Sequence, residues 1–195
     1  AVVFAPADGA MYAADHSTWV TEERLSRGLC GRSRPVHFRG VCTVVTKLFH
    51  LALPDVAIFG QKDAQQALII RKMVRDLDFP LEVVVAPLIR DADGVALSSR
   101  NRYLSEAERV QARSLSQALS HAAGQLKKKG ARSLSGVLRE ARDTIVAAGG
   151  KIDYLEALDA EELTDAGDDT AEVLLAGAVY FGTTRLIDNM LVKLK

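Results

Sequence analysis

Two short stretches of this chain carry residue types suited to holding a polyanion. The first is Phe59-Gly60-Gln61-Lys62-Asp63-Ala64-Gln65-Gln66. Gly60 permits close backbone approach to a ligand, Lys62 supplies a point cation, and a helix beginning just afterwards would aim its free amides at an anion. Asp63 is placed to cap that helix, and Gln66, three residues on, faces the same cleft. The second stretch is Asp93-Gly94-Val95-Ala96-Leu97-Ser98-Ser99-Arg100-Asn101-Arg102. Two hydroxyls beside a guanidinium form a compact anion site, because Arg offers a bidentate fork and Ser adds neutral hydrogen bonds. A flexible loop of this kind can close over a triphosphate. Each stretch also has a plain structural reading: a strand-to-helix turn with an Asp cap and a solvated lysine, and a polar interdomain linker. The functional reading gains because the two lie one strand-helix-strand unit apart, where both can face one cleft.

Other candidates are weaker. Arg32-Ser33-Arg34-Pro35-Val36-His37-Phe38-Arg39-Gly40 is basic and precedes a helix, suiting either a carboxylate or phosphate contact or a structural loop with solvated arginines. His16, His50 and His121 stand without partners of ligand or base spacing and read as structural. Asp168-Asp169 in a turn and Glu161-Glu162 at a helix start suggest neither glycosidase chemistry nor a metal cage. The run Lys127-Lys128-Lys129-Gly130 reads as a solvated helix end, where cations suit the terminus and Gly reaches positive φ.

The elements that must position these groups follow from periodicity. Val2 to Phe4 reads as a strand, His16 to Thr21 as an extended piece, and Glu22 to Cys30 as a short helix. Val41, Val44, Val45 and Leu48 have helical spacing, so a helix is predicted from about Gly40 to Leu53, stopped by Pro54. The apolar run Val56–Phe59 then gives a strand, Ile69, Ile70, Met73, Val74 and Leu77 a helix face, and Leu81–Val85 a second strand. This is a βαβ unit of a mostly parallel sheet. Ser105 and Glu108 have capping-box spacing and open a long helix running to Lys129. A second helix spans about Ser135 to Ala148. Extended segments near Ile152–Leu158, Glu172–Phe181 and Arg185–Leu191, with no helical crossovers between them, predict a small antiparallel sheet.

Composition bounds the whole. The 195 residues carry 25 Lys+Arg against 25 Asp+Glu and are 48% hydrophobic and 26% charged, which describes a globular chain with ample core material. Zero net charge provides no general field for nucleic acid or anionic lipid, so a bound anion must be held locally. No apolar run approaches the roughly 18–20 residues of a membrane span. Cys30 and Cys42 have no CxxC or zinc spacing and fit a reduced, cytoplasmic chain.

Taken together, these residues resemble the pantothenate synthetase (pantoate–β-alanine ligase) family. The likeness is densest in RPVHFRGVCTVVTKLFHLALPDVAIFGQKDAQQALIIRKMVRDL, then DADGVALSSRNRYLS, then RLIDN. FGQKDxQQ followed at the right distance by DGxALSSRNxYL is the specific part.

The resemblance implies an α/β fold: residues 1–104 as the C-terminal part of a Rossmann-like, nucleotidyl-transferase-type parallel-sheet domain, and residues 105–195 as a small α+β lid domain. It implies a cytoplasmic, homodimeric ligase using ATP and Mg²⁺. Pantoate carboxylate would attack the α-phosphorus of ATP to give pantoyl adenylate and pyrophosphate, and the amine of β-alanine would then displace AMP. Carried onto this sequence, Gly60, Gln61, Lys62 and Asp63 contact ATP, with Lys62 stabilising phosphate charge, and Gln66 binds pantoate. Ile89 touches the adenine side, and Leu97, Ser98, Ser99 and Arg100 form the counterpart of the KMSKS loop. Lys62, Ser98 and Arg100 are the catalytic candidates, and no metal ligand is assigned. Val36 stands where the family usually has Gly, and the family's H-x-G-H signature is not among these 195 residues. The first residues, VVFAPADGAMY, resemble a strand midway through the family's nucleotide-binding domain. The expectation is therefore a C-terminal portion lacking on the order of 60–100 residues, at about 30 or more per βαβ unit. Alone it is expected to be inactive, or to be a non-catalytic nucleotide- or partner-binding fragment.

Overall fold

The computed structural model describes residues 2–194. In chain order the elements are α1 (Asp8–Met11), α2 (Cys30–Ser33), α3 (His37–Ala52), β1 (Val56–Gly60), α4 (Ala64–Asp76), β2 (Glu82–Ala86), α5 (Glu106–Lys129), α6 (Leu134–Ala147), β3 (Lys151–Asp159), β4 (Glu172–Phe181) and β5 (Thr184–Lys193). They divide into two compact units, one of residues up to Ala57 with Leu68–Val84, the other of Ile58–Ala67 with Val85 onward. The α/β class holds, with a parallel strand pair and an antiparallel three-stranded sheet.

In the first unit α3 buries Phe38, Cys42, Val45 and Phe49, and Ile69, Ile70, Met73 and Val74 of α4 are buried with them. Thr46 Oγ1 meets Met73 Sδ at 3.3 Å and the Phe49 and Phe79 rings cross edge to face. α3 starts three residues earlier than its periodicity suggests and ends where Pro54 disfavours helical backbone at Leu53, which turns left-handed (φ 45°) and donates its N–H to Phe49 O. Glu82 N–H donates to Asp55 O at 2.9 Å, so β1 and β2 start side by side and run parallel. The pair leaves Val56 and Ile58 exposed, unlike a strand covered on both faces.

Two expectations for this unit fail for physical reasons. Val2 and Val3 are 95% and 89% exposed and join no strand among the described residues, because β-branched propensity orders nothing without a neighbouring ladder. Ala1 lies outside the described residues. Glu22–Cys30 forms turns rather than a helix: the Glu22 carboxylate takes the amides of Arg24 and Ser26, and the Ser26 hydroxyl donates to Glu22 O. Local side-chain bonds thus outcompete the i→i−4 ladder. Helix α2 follows at Cys30, and Gly31 is required there because a Cβ would sit 1.7 Å from Ser26 O.

The second unit is built on α5. Ser105 and Glu108 form the expected capping box, and Gly130 closes the other end at φ 73°. Leu115, Leu119 and Leu126 on one face are buried with Ile145 of α6 and Val173, Leu175, Val179 and Phe181 of β4 in one core cluster. Gly177 lets α5 approach the sheet, since a Cβ there would meet Leu115 at 2.9 Å. β4 pairs with both β3 and β5, antiparallel as expected, and Asp188 and Asn189 of β5 stand opposite Gly177 and Ala176. Glu161 and Glu162 lie in the turn after β3, not at a helix start: the Asp159 carboxylate takes both their amides and holds the turn.

Candidate functional site

β1 delivers Gly60 to a 3-10 turn of Gln61, Lys62 and Asp63, and α4 begins at Ala64. Asp63 pairs with the Lys62 ammonium at 3.2 Å. The Lys62 side chain keeps about a fifth of its surface accessible, which leaves its charge available to an incoming anion. This loop is fastened from β5. Asn189, buried, donates its two amide hydrogens to Gln61 O (2.9 Å) and Lys62 O (3.0 Å), and its Oδ1 accepts from Gln61 Nε2 (3.3 Å). Gln66 sits half-buried on the first turn of α4.

The Ser-Ser-Arg stretch grows from a tight hairpin. Asp91 N–H donates to Val95 O and Leu97 N–H to Ile89 O, both at 2.9 Å, with Gly94 at φ 89° making the tip. Val95 is buried in the unit's core, whereas Ile89 and Leu97, opposite one another on the stem, are 67% and 53% exposed. Beyond the stem Ser98 caps a 3-10 turn over Ser99–Tyr103 by accepting the Arg100 N–H. Ser99 and Arg100 are exposed, and Arg100 has no ion-pair partner among the described residues.

Charge holds the hairpin in place. Arg109 of α5 reaches Asp93 through Nε (2.7 Å) and Nη2 (2.7 Å) and Asp91 through Nη2 (2.7 Å). Those hydrogen bonds hold the Asp93 carboxyl down at about 2 and push the Arg109 guanidinium higher still. Asn101 Nδ2 bridges Asp91 (3.2 Å) and Ala96 O (3.1 Å). At the root, Arg90 makes a bidentate pair with Asp188 (2.6 and 2.9 Å) and also donates to Gly94 O. Burial raises the Asp188 carboxyl above its ordinary value, opposed by the Arg90 bonds and by the charge of Lys62.

Both polyanion-suited stretches therefore lie in one unit and are tied to adjacent residues of one strand. Spacing alone did not single out Asn189, Asp188, Arg90, Arg109 or Asn101 as their supports. The only advance signal was the presence of Asp188 and Asn189 in RLIDN and of Asn101 in DADGVALSSRNRYLS; Arg90 and Arg109 lie outside both segments. Among the described residues no group of three or more His, Cys, Asp and Glu side chains is placed to hold a metal ion. In the other unit, Val36 adopts φ −96°, ψ −3°, an ordinary conformation that needs no glycine, and Arg34 Nη1 lies 3.5 Å from His37 Nε2. The isolated histidines acquire structural partners: His16 lies edge-on to Tyr12 and Trp19, and His50 Nδ1 is 2.8 Å from Thr46 O. Cys42 is buried and its thiol pushed up to about 11, an inert core residue.

Residues 1–191 match the Pantoate-beta-alanine ligase family. The chain belongs to that family. It is 52% identical over 193 residues to the pantothenate synthetase of Desulfovibrio desulfuricans, covering 97% of this chain and 68% of the relative. It is 50% identical to that of Moorella thermoacetica, covering 98% and 68%. Among solved structures, pantothenate synthetase from Thermus thermophilus superposes with a TM-score of 0.90 at 42% identity, over 96% of this chain and 68% of that one. The pantoate-beta-alanine ligase of Francisella tularensis, complexed with beta-gamma ATP and beta-alanine, gives 0.73 at 29% identity, over 94% and 62%. The chain thus spans about two thirds of the length of these relatives.

Proposed function

We propose that this chain supplies the nucleotide-holding loops of a pantoate–β-alanine ligase, working by ATP-dependent adenylation of pantoate followed by amide formation with β-alanine. The observation that carries the reading is that the Lys62 loop and, through Arg90, the root of the Ser-Ser-Arg hairpin are both fastened to Asp188-Asn189 of one strand. Family membership and the ATP- and β-alanine-bound relative support it.

In this reading the backbone of Gly60 and Gln61 and the side chains of Lys62 and Asp63 meet ATP. Exposed Ile89 and Leu97 offer an apolar platform for the base. Lys62, Ser98, Ser99 and Arg100 stabilise the negative charge that builds on the departing pyrophosphate, which is where preorganised donors lower the barrier most. Gln66 hydrogen-bonds pantoate, whose carboxylate forms the new bond to phosphorus as the bond to pyrophosphate breaks. The β-alanine amine then attacks the acyl carbon and AMP leaves. The described carboxylates form no cage for Mg²⁺, and no step here is assigned to it. Residues 1–104 belong to the nucleotide-binding domain and 105–195 to the lid. A cytoplasmic homodimer completes the proposal.

Incubating the full-length protein with ATP, pantoate and β-alanine tests this: equal amounts of pantothenate, AMP and pyrophosphate are expected, and ADP with phosphate would overturn it. The 195 residues expressed alone, which contain no H-x-G-H histidines, are expected to yield no pantothenate. Robust turnover by them would overturn that expectation.

A further inference from the structure

We propose that Asp188 and Asn189 of β5 are positioning residues that set the lysine loop and the Ser-Ser-Arg hairpin relative to one another. The inference rests on the adenylation reading above. Successive strand residues point to opposite faces, so one dipeptide can grip two loops. Asn189 spends both of its amide hydrogens and one bond to its oxygen on one of them: the hydrogens go to the carbonyls of Gln61 and Lys62, and the oxygen accepts from the Gln61 amide. The grip falls on the backbone of Lys62 itself, so it fixes the point from which the ammonium extends. Asp188 grips the other loop through the bidentate Arg90 pair, and Arg90 in turn holds Gly94 O at the hairpin tip. Both residues are at most 4% exposed, which keeps water from competing for these bonds. Every side-chain polar atom of the two is already bonded within the protein and buried from solvent, so their effect on chemistry runs through Lys62 and the hairpin.

Removing Asn189 takes the side-chain donor from both carbonyls and frees the loop to shift, and a displacement of about 1 Å at a reacting group costs roughly 10²-fold in rate. The test is pantoate-dependent exchange of labelled pyrophosphate into ATP by the full-length protein carrying Asn189→Ala, Lys62→Ala or both. Asn189→Ala is expected to lower kcat by about 10²-fold with KM for pantoate unchanged. In the Lys62→Ala background the same substitution is expected to cost less than about threefold, since residues acting through one group are not additive. Should Asn189→Ala fail to accumulate as folded protein, Asn189→Ser, shorter but still polar, goes through the same cycle with the same expectation. Fully additive losses, or a wild-type rate in Asn189→Ala, overturn the positioning role while leaving the adenylation reading intact. An unchanged rate in Lys62→Ala overturns the site reading and this inference with it. Asp188→Asn, which breaks the Arg90 pair at constant size, is expected to raise KM for ATP about tenfold. An unchanged KM overturns the hairpin half of the proposal.

Discussion

The two loops of the site are held by different forces. The lysine loop hangs on the neutral amide of one buried side chain, Asn189. The Ser-Ser-Arg hairpin is held by charge, with Arg109 across Asp91 and Asp93 at the tip and Arg90 against Asp188 at the root. Neutral hydrogen bonds do not titrate and are insensitive to salt, whereas part-exposed ion pairs respond to both. The contrast gives the lysine loop a constant geometry and makes the hairpin the element that conditions can loosen. In both loops the groups read as reactive stay accessible while their supports are buried or clamped, so the fold separates presenting charge from holding it.

The largest expected effect breaks the lysine arm. Lys62→Ala in the full-length protein should lower the single-turnover rate of adenylate formation by about 10²–10³-fold, the scale for removing a preorganised electrostatic group. An unchanged rate in rapid quench would remove Lys62 from the chemistry. Next is the hairpin's own cation: Arg100→Ala should raise KM for ATP by about 10–10²-fold, since charge-assisted hydrogen bonds contribute about 1.5–3 kcal/mol. Equilibrium titration with a non-hydrolysable ATP analogue checks this.

Smaller effects sharpen the difference between the two kinds of support. Arg109→Ala should lower unfolding free energy by about 1–2 kcal/mol, discounted because the pairs are about a quarter exposed. Arg109→Lys should recover little of this, since a single ammonium cannot span Asp91 and Asp93 as the guanidinium fork does. Urea unfolding measures both. The smallest effect is the pH response of the clamp. The Asp93 carboxyl titrates at about 2 in the folded chain and in the ordinary carboxylate range when unfolded. Its contribution is therefore present above about pH 4 and is lost as pH falls toward 2. Asp93→Asn should flatten that part of the stability profile, while Asn189→Ala should leave its slope unchanged.

Local signals made much of the fold legible. The capping box of Ser105 and Glu108 foretold where α5 starts, Pro54 where α3 stops, and three apolar runs without crossovers the antiparallel sheet. What escaped depends on partners distant in sequence or on side chains competing with backbone. Val2–Phe4 has strand propensity but no ladder among the described residues, and Glu22 draws its own downstream amides into a turn. The site divides in the same way. Glycine, lysine, serine and arginine at loop positions were visible as polyanion-binding types. The link from Asn189 to Gln61 spans 128 residues and leaves no spacing to read. Asp188 and Asn189 read as two ordinary polar residues in a strand until their neighbours in space are known.

Pantoate-dependent exchange of labelled pyrophosphate into ATP, run on the full-length protein with no β-alanine present, tests the central claim most directly. Adenylation by these loops predicts label in ATP whenever pantoate is present and none without it. Exchange that ignores pantoate, or that appears only when β-alanine is added, would contradict an acyl adenylate formed at this site.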